Sequence, residues 1–280
     1  MKIDLHCHTT ASDGALSPQQ LIDLAIEHAI TTLAITDHDT TAGYEQALEY
    51  AQKTTLQLIV GTEISCQWRG HTIHIVGLDC DNDNAKLQTG LKQNRLKRWQ
   101  RAFEIEQKCQ QLQLYGVLDE IMPLTEDDMI GRNHFAQVLI NRNKVKNQQQ
   151  AFDKYLKKGK PLYTEVDWPS LQAVVGWIKA AGGIAVIAHP QQYKMTSNKL
   201  NQMIADFMAA GGQALEVVNQ PRPSADQIGL ADRAVRFGLY ASVGSDFHRP
   251  EQSWRGLGWL APLPAKCQPV WQLFKTAVAD

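Results

Sequence analysis

Ile3-Asp4-Leu5-His6-Cys7-His8-Thr9-Thr10-Ala11-Ser12-Asp13-Gly14 is the run on which the reading of the chain turns. A short apolar strand ends in two histidines one residue apart, and the Ser/Asp/Gly turn that follows folds Asp13 back toward them. Residues i and i+2 of an extended strand project from one face, so His6 and His8 reach the same point at the strand's end. That point suits a metal ion. Taken alone, the pair reads equally well as a polar feature of an edge strand, and the rest of the chain has to decide.

Working outward, Ser17-Pro18-Gln19-Gln20 reads as a helix start, with Ser17 at the cap, Pro18 in the first turn and Gln20 closing a capping box. Residues 32–36 form a buried strand ending in Asp37-His38-Asp39. A helix over 43–53 then leads to a strand at 56–60 that ends in Gly61-Thr62-Glu63. Strand, helix, strand at this spacing predicts a parallel sheet with crossover helices. Residues 71–78 alternate as a further strand, paired with 64–68 across Arg69-Gly70. From about 83 to 160 the chain turns polar, Gln-rich and helical, with a basic segment around 94–101, which reads as a helical insertion. The sheet pattern then resumes. A helix at 171–181 stops at Gly182-Gly183, a strand at 184–188 ends in His189-Pro190, and a helix at 199–210 precedes a strand at 214–218. A helix at 224–237 and a strand at 240–243 lead to Gly244-Ser245-Asp246-Phe247-His248, and residues 269–278 are expected to close the chain as a helix. The fold class is α/β, with a main unit formed by 1–84 and 161–280 and an insertion at 85–160.

At 280 residues the chain can bury a sizeable core. A formal net charge of -1 argues against a broad polyphosphate-binding surface, so any nucleic-acid contact is local. The five cysteines, Cys7, Cys66, Cys80, Cys109 and Cys267, are widely spaced and lack a CxxC pair, which suits a reducing compartment. With no leader-like start and no run of about 18 apolar residues, the expectation is a cytoplasmic protein without membrane contact. Nothing in the sequence calls for an obligate protein partner.

The chemistry lies in what the strand ends carry: His6, His8, Asp13, His38, Glu63, His189, Asp246 and His248, with His74 inside its own strand. In parallel α/β and barrel folds that rim is where active sites assemble. Six of the nine histidines fall there, a poor match to chance. Imidazoles and carboxylates without thiolates suit Mn, Fe or Zn, and there are enough of them for two or three ions. Asp37 is better placed to cap a helix or orient a neighbour than to ligate. Cys7 should face the core, and His28 and His71 have no address on the rim.

His6-Cys7-His8 with Asp13, Thr36-Asp37-His38-Asp39, Gly61-Thr62-Glu63, His74, Ala188-His189-Pro190 and Gly244-Ser245-Asp246-Phe247-His248 run in order from end to end. This set resembles the PHP (polymerase and histidinol phosphatase) family. Within it, His74-Ile75-Val76-Gly77-Leu78 and Gly131-Arg132-Asn133-His134-Phe135 are similar to the 3',5'-nucleoside-bisphosphate phosphatase subgroup and to bacterial 5'-to-3' exoribonucleases. The resemblance implies a distorted (β/α)7 barrel with a trinuclear centre. One ion would take His6, His8, Glu63 and Asp246; Glu63 would bridge to a second held by His74 and His189; Asp13, His38 and His248 would hold the third. Where related sequences often carry a Gly-Arg pair after Ala-His-Pro, this chain has Gln191-Gln192.

Such a centre serves phosphoester hydrolysis, with a metal-bridging hydroxide near Glu63 attacking phosphorus and expelling a ribose hydroxyl. The leaving-group proton could come from Asp13, a metal-bound water or His134. Substrate contacts are expected from Asp13 and His38 and, in the insertion, from Arg132, Asn133 and His134 at a helix start that would bind a second phosphate. Local sequence alone favours a plain helix start with a solvated arginine; the resemblance favours the anion site. The basic run Arg95, Lys97, Arg98 and Arg101 reads first as a solvated helix face and second as an RNA track. Three functions follow: hydrolysis of nucleoside bisphosphates such as adenosine 3',5'-bisphosphate, with manganese as the first choice of metal; 5'-to-3' trimming of 5'-phosphorylated RNA; and a non-catalytic metal-binding domain.

Overall fold

In the computed structural model, which describes residues 2–125, 129–251 and 255–278, seven strands form one sheet in chain order. They are β1 (Ile3–Cys7), β2 (Thr32–Ile35), β3 (Gln57–Trp68), β4 (His71–Leu78), β5 (Ile184–Ile187), β6 (Ala214–Val218) and β7 (Tyr240–Val243). β1, β2 and β3 pair in parallel, as do β5, β6 and β7; β4 runs antiparallel to both its neighbours. The sheet curls until the chain beyond β7 meets β1: Asp246 N–H donates to His6 O (2.7 Å) and His8 N–H to Phe247 O (2.9 Å). The expected distorted seven-stranded barrel is present.

Helices follow the strands as the spacing predicts: α1 (Pro18–Glu27), α2 (Ala42–Ala51), α3 (Ala85–Gln111), α4 (Val117–Ile121), α5 (Arg132–Asn141), α6 (Gln148–Ala151), α7 (Leu171–Ala180), α8 (Ser197–Ala209) and α9 (Ala225–Phe237). The Ser17–Gln20 capping box opens α1 as read from sequence. Helices α3 to α6 occupy the stretch between β4 and β5 and share an apolar core that includes Ile105, Val117, Phe135 and Leu139. Leu87 and Leu91 in the first turns of α3 pack instead into the barrel core. No helix among the described residues is long and apolar enough to cross a membrane.

Two local expectations need correction. Residues 56–60 and 64–68 are not separate strands: β3 is continuous over 12 residues, pairing with β2 through Val60 and with β4 from Gly61 onward. Glu63 therefore sits mid-strand, level with the rim because β3 overshoots it. The C-terminal helix is reduced to one 3-10 turn at Val270–Leu273. Tertiary bonds extend the chain on both sides of it: Ala241 N–H donates to Gln268 O (2.7 Å) and Lys275 N–H to Asp79 Oδ2 (2.7 Å).

Candidate metal centre and the cleft beside it

Each donor at the mouth is placed by backbone structure that the sequence dictates. Cys7 is fully buried, and its thiol donates to Ala34 O (3.2 Å). The alternation of β1 therefore turns His6 and His8 the other way. Asp37 is a folding residue: its oxygens accept from Thr9 N–H (2.7 Å), Thr9 Oγ1 (2.6 Å) and Ser12 Oγ (2.5 Å). Those bonds shape the turn that returns Asp13. Gly14 belongs to the same turn, because a Cβ there would collide with the His8 carbonyl. His189 (φ 30°) and Asp246 (φ 53°) adopt left-handed backbone that costs a non-glycine residue about 1–2 kcal/mol. Strain held at a strand end is common at functional sites.

The side chains converge. Glu63 Oε1 lies 2.9 Å from His74 Nδ1 and 2.8 Å from His189 Nε2, while Oε2 lies 2.9 Å from His38 Nδ1 and 3.4 Å from both His6 Nε2 and His8 Nε2. Asp246 Oδ1 is 3.4 Å from His8 Nε2 and 3.6 Å from His6 Nε2. Asp13 Oδ1 is 3.4 Å from His248 Nε2 and 3.8 Å from His38 Nε2. All nine sequence-predicted donors are thus in one cluster. They fall into four overlapping groups whose ligand atoms lie within 4.8 Å: His8, Asp13, His38, His248; His6, Glu63, His189; His6, His8, Asp246; and His38, Glu63, His74. His28, bonded to Leu257 O (2.8 Å), and His71, beside Trp68, stay outside it.

Whether this set fits metal ions is answered by its hydrogen bonding. His6 Nε2, His8 Nε2, His38 Nδ1, Asp13 Oδ1 and Glu63 Oε2 are all buried without a hydrogen-bond partner. Leaving one such atom unsatisfied costs about 1–3 kcal/mol, so five in one place call for cations. The electrostatics agree. Burial would raise Glu63, but His74, His38 and His6 hold it well below the usual carboxylate range. Burial would also raise Asp13, which His38 and His248 keep well below that range. Burial, with His248 and His38 beside it, pushes His8 down to about 3, whereas His248, which burial would lower, is lifted by Asp13 and Asp246 to about 9. Nitrogen and oxygen donors without thiolate suit Mn, Fe or Zn.

Beside the cluster opens a cleft lined by Asp13, His38, His74, Arg98, Arg101, Arg132 and Trp168. Here the reading of the basic run as a solvated face is corrected. Arg98 is buried, pairs with Asp39 (2.6 Å), donates to Ser65 Oγ (2.8 Å) and lies over Trp168. Arg95 bonds Asp39 O (3.0 Å) and Lys97 bonds Asp167 O (2.5 Å). Arg101, 8% exposed, also lies over Trp168 and has no hydrogen-bond or ion-pair partner among the described residues. Burial and the adjacent Arg98 and Arg132 push Arg101 well below its ordinary range. Because a guanidinium stays protonated in proteins, that crowding is a demand for an anion.

Arg132 lies over the Phe152 ring and faces the same cleft. Its neighbours are engaged within the protein: Asn133 donates to Asp13 Oδ2 (2.5 Å) and accepts from Gln148 (2.7 Å), and His134 Nδ1 accepts the Gly131 N–H (3.1 Å). Three further residues escaped the sequence reading. Glu216 contacts His6; a lone charge inside the buried strand Ala214–Val218 was its signal. Arg255 donates to Asp246 Oδ2 (2.6 Å), so an arginine reaches the centre despite Gln191-Gln192. Asp4 accepts from Ser245 N–H (2.9 Å) and Gly258 N–H (2.8 Å), stitching the two ends of the chain together.

With this geometry in hand, the PHP domain model matches residues 4–219. The chain belongs to the PHP family. It is 42% identical over 271 residues to the 3',5'-nucleoside bisphosphate phosphatase of Chromobacterium violaceum, covering 96% of this chain and 95% of the relative. It is 40% identical over 273 residues to a 5'-3' exoribonuclease of Haemophilus influenzae, covering 98% and 99%. The solved structure of an amidohydrolase from Chromobacterium violaceum, with bound sulfate and no metal, superposes with a TM-score of 0.92 at 42% identity over 97% of this chain and 95% of that one. This PHP protein is a metal-dependent phosphoesterase hydrolase.

Proposed function

We propose that this PHP phosphoesterase hydrolyses 3',5'-nucleoside bisphosphates, such as adenosine 3',5'-bisphosphate, to a nucleoside monophosphate and phosphate. The observation that carries the reading is the pair Arg101 and Arg132, cations without a carboxylate partner among the described residues, in the cleft shared with Asp13, His38 and His74. A substrate with one phosphate at the donor cluster needs a second anion to satisfy them.

His6, His8, Glu63 and Asp246 would hold one ion, Glu63, His74 and His189 a second, and Asp13, His38 and His248 a third, with manganese as the metal and iron or zinc as alternatives the donors suit. Bound there, such ions acidify water and neutralise phosphoryl charge. The chain's own residues do the rest. Arg101 and Arg132 hold the non-reacting phosphate and so fix the position of the reacting one. Trp168 and Phe152, lying under the guanidinium groups, exclude water. Asn133 steers Asp13, whose carboxyl, held well below its usual range, is a ligand rather than the proton donor. Residues 85–160 act as the cap, and a cytoplasmic location is supported by the five unpaired cysteines, which suit a reducing compartment.

The 40% identity to an exoribonuclease over 98% of the chain favours a second substrate, 5'-phosphorylated RNA. Cleaving P–O3' would release a nucleotide from either molecule; RNA merely carries another nucleotide on the phosphate. The test is a panel of adenosine 3',5'-bisphosphate, a simple phosphomonoester and a 5'-phosphorylated oligoribonucleotide, run with wild type and Arg132→Ala. The variant should raise KM for the bisphosphate by roughly 10–100-fold, the loss of one charge-assisted contact, and for the monoester by less than about twofold. Equal effects on both would refute the reading.

A further inference from the structure

We propose that Glu216 is the positioning residue of the His6–Glu63–His189 group, one buried carboxylate that sets His6 through its ring and His189 through its backbone. The inference rests on the reading of the cluster as a metal centre. Glu216 stands in the middle of β6 between Leu215 and Val217, 2% exposed, where a charge has no solvent to answer it. Its Oε2 accepts the His6 Nδ1 proton at 2.6 Å, and its Oε1 accepts the His189 backbone N–H at 3.2 Å.

Each bond has a consequence at the cluster. With the ring proton on Nδ1, the lone pair of His6 is on Nε2, the buried and unpartnered atom aimed at Glu63 and Asp246. A histidine free to rotate or change tautomer would also present a donor N–H to the same point. The second bond anchors a strained residue. His189 takes up φ 30° just before Pro190, which disfavours the right-handed helical alternative. Fixing its N–H holds the turn that brings its Nε2 to 2.8 Å from Glu63. His6 and His189 come from β1 and from the end of β5, so a single residue on β6 gives both rings one reference point.

The experiment compares full-length Glu216→Ala and Glu216→Gln with wild type in three measurements: Mn(II) retained per chain in equilibrium dialysis against a chelator, the histidine ring N–H signals by 15N NMR of the metal-free protein, and its thermal melting. Glu216→Ala should weaken retention of one Mn(II) per chain by roughly 10–100-fold while the others hold as in wild type, and should erase the His6 Nδ1–H signal. Glu216→Gln, which still accepts one N–H, should fall between. Unchanged retention in Glu216→Ala overturns the proposal, as does a uniform loss of all ions in step with a lowered melting temperature. If Glu216→Ala does not fold, the same two results in Glu216→Gln decide. Wild type that binds no Mn(II), Fe(II) or Zn(II) would instead remove the metal centre itself.

Discussion

The barrel mouth and the cleft under α3 are built on opposite charge logics. At the mouth, imidazoles and carboxylates delivered by successive strand ends leave five buried atoms without hydrogen-bond partners, a donor set suited to cations. In the cleft, Arg98, Arg101 and Arg132 meet beside Asp13, and of the three only Arg98 has an ion-pair partner among the described residues, Asp39. The mouth is set by backbone: sheet hydrogen bonds and the Asp37-bonded turn fix where each donor begins. The cleft is set by side chains reaching between α3 and the β2 end, with Asp39 accepting from Asn94 (2.7 Å), Ser65 N–H (2.8 Å) and Arg98 (2.7 Å). A molecule with two phosphates answers both at once. On the proposed function, the reaction and its selectivity come from separately supported halves, which can be broken apart.

Glu63→Gln attacks the first half alone and should have the largest effect. Glu63 has an oxygen toward each of five histidines, so activity on every phosphoester should drop by at least roughly 10³-fold. Chelation of wild type should abolish turnover and added Mn(II) should restore it; a chelator-resistant enzyme would contradict the comparison. Arg101→Ala attacks the second half. It should lower kcat/KM for the bisphosphate by about 10–100-fold and leave a simple monoester nearly unaffected, yet raise the melting temperature, because it removes an unpaired buried charge. A destabilised Arg101→Ala would show that the guanidinium has a partner within the fold.

Arg98→Ala tests the joint between the halves. It strands the Asp39 carboxylate and should cost about 3–5 kcal/mol in chemical unfolding. Burial would raise Asp39, but Arg98, Asn94 and Ser65 N–H turn the shift downward. A depressed carboxyl contributes stability above its unfolded value of about 3.9, lost as pH falls through the lower folded value. Arg98→Ala should therefore lose that leg of acid destabilisation relative to wild type. The smallest effect belongs to Ser17→Ala, which removes the α1 cap on the barrel's periphery. About 1 kcal/mol of stability should go, with metal retention and both substrate activities unchanged.

Read from sequence, the two halves were unequally legible. Most of the nine mouth residues announce themselves because strands are short apolar runs, and a polar residue that ends such a run lies at the rim; Asp13 follows in the turn after β1, and His74 lies inside β4. Arg98 and Arg101 carried no comparable mark. On α3 they are three residues apart among exposed Lys92, Gln93 and Leu96, and that face is made an interior one by residues distant in sequence, Asp39 across a gap of 59 positions and Trp168 beneath both guanidinium groups. Glu216 stood between these cases, visible as a charge in a buried strand but without a stated partner.

By itself, the order of residues determined the alternation of strands and helices, the cap at Ser17, the helical stretch after β4 and which histidines and carboxylates gather at the mouth, because periodicity, turn chemistry and strand-end placement are local. Only the tertiary structure decided that β3 runs unbroken past Glu63, that the C-terminal segment is pulled out of helix by Asp79 and Ala241, and that a basic helix face turns inward onto Trp168. Those outcomes depend on what lies opposite a segment, and contact across the fold, unlike periodicity, leaves no trace in the neighbouring letters.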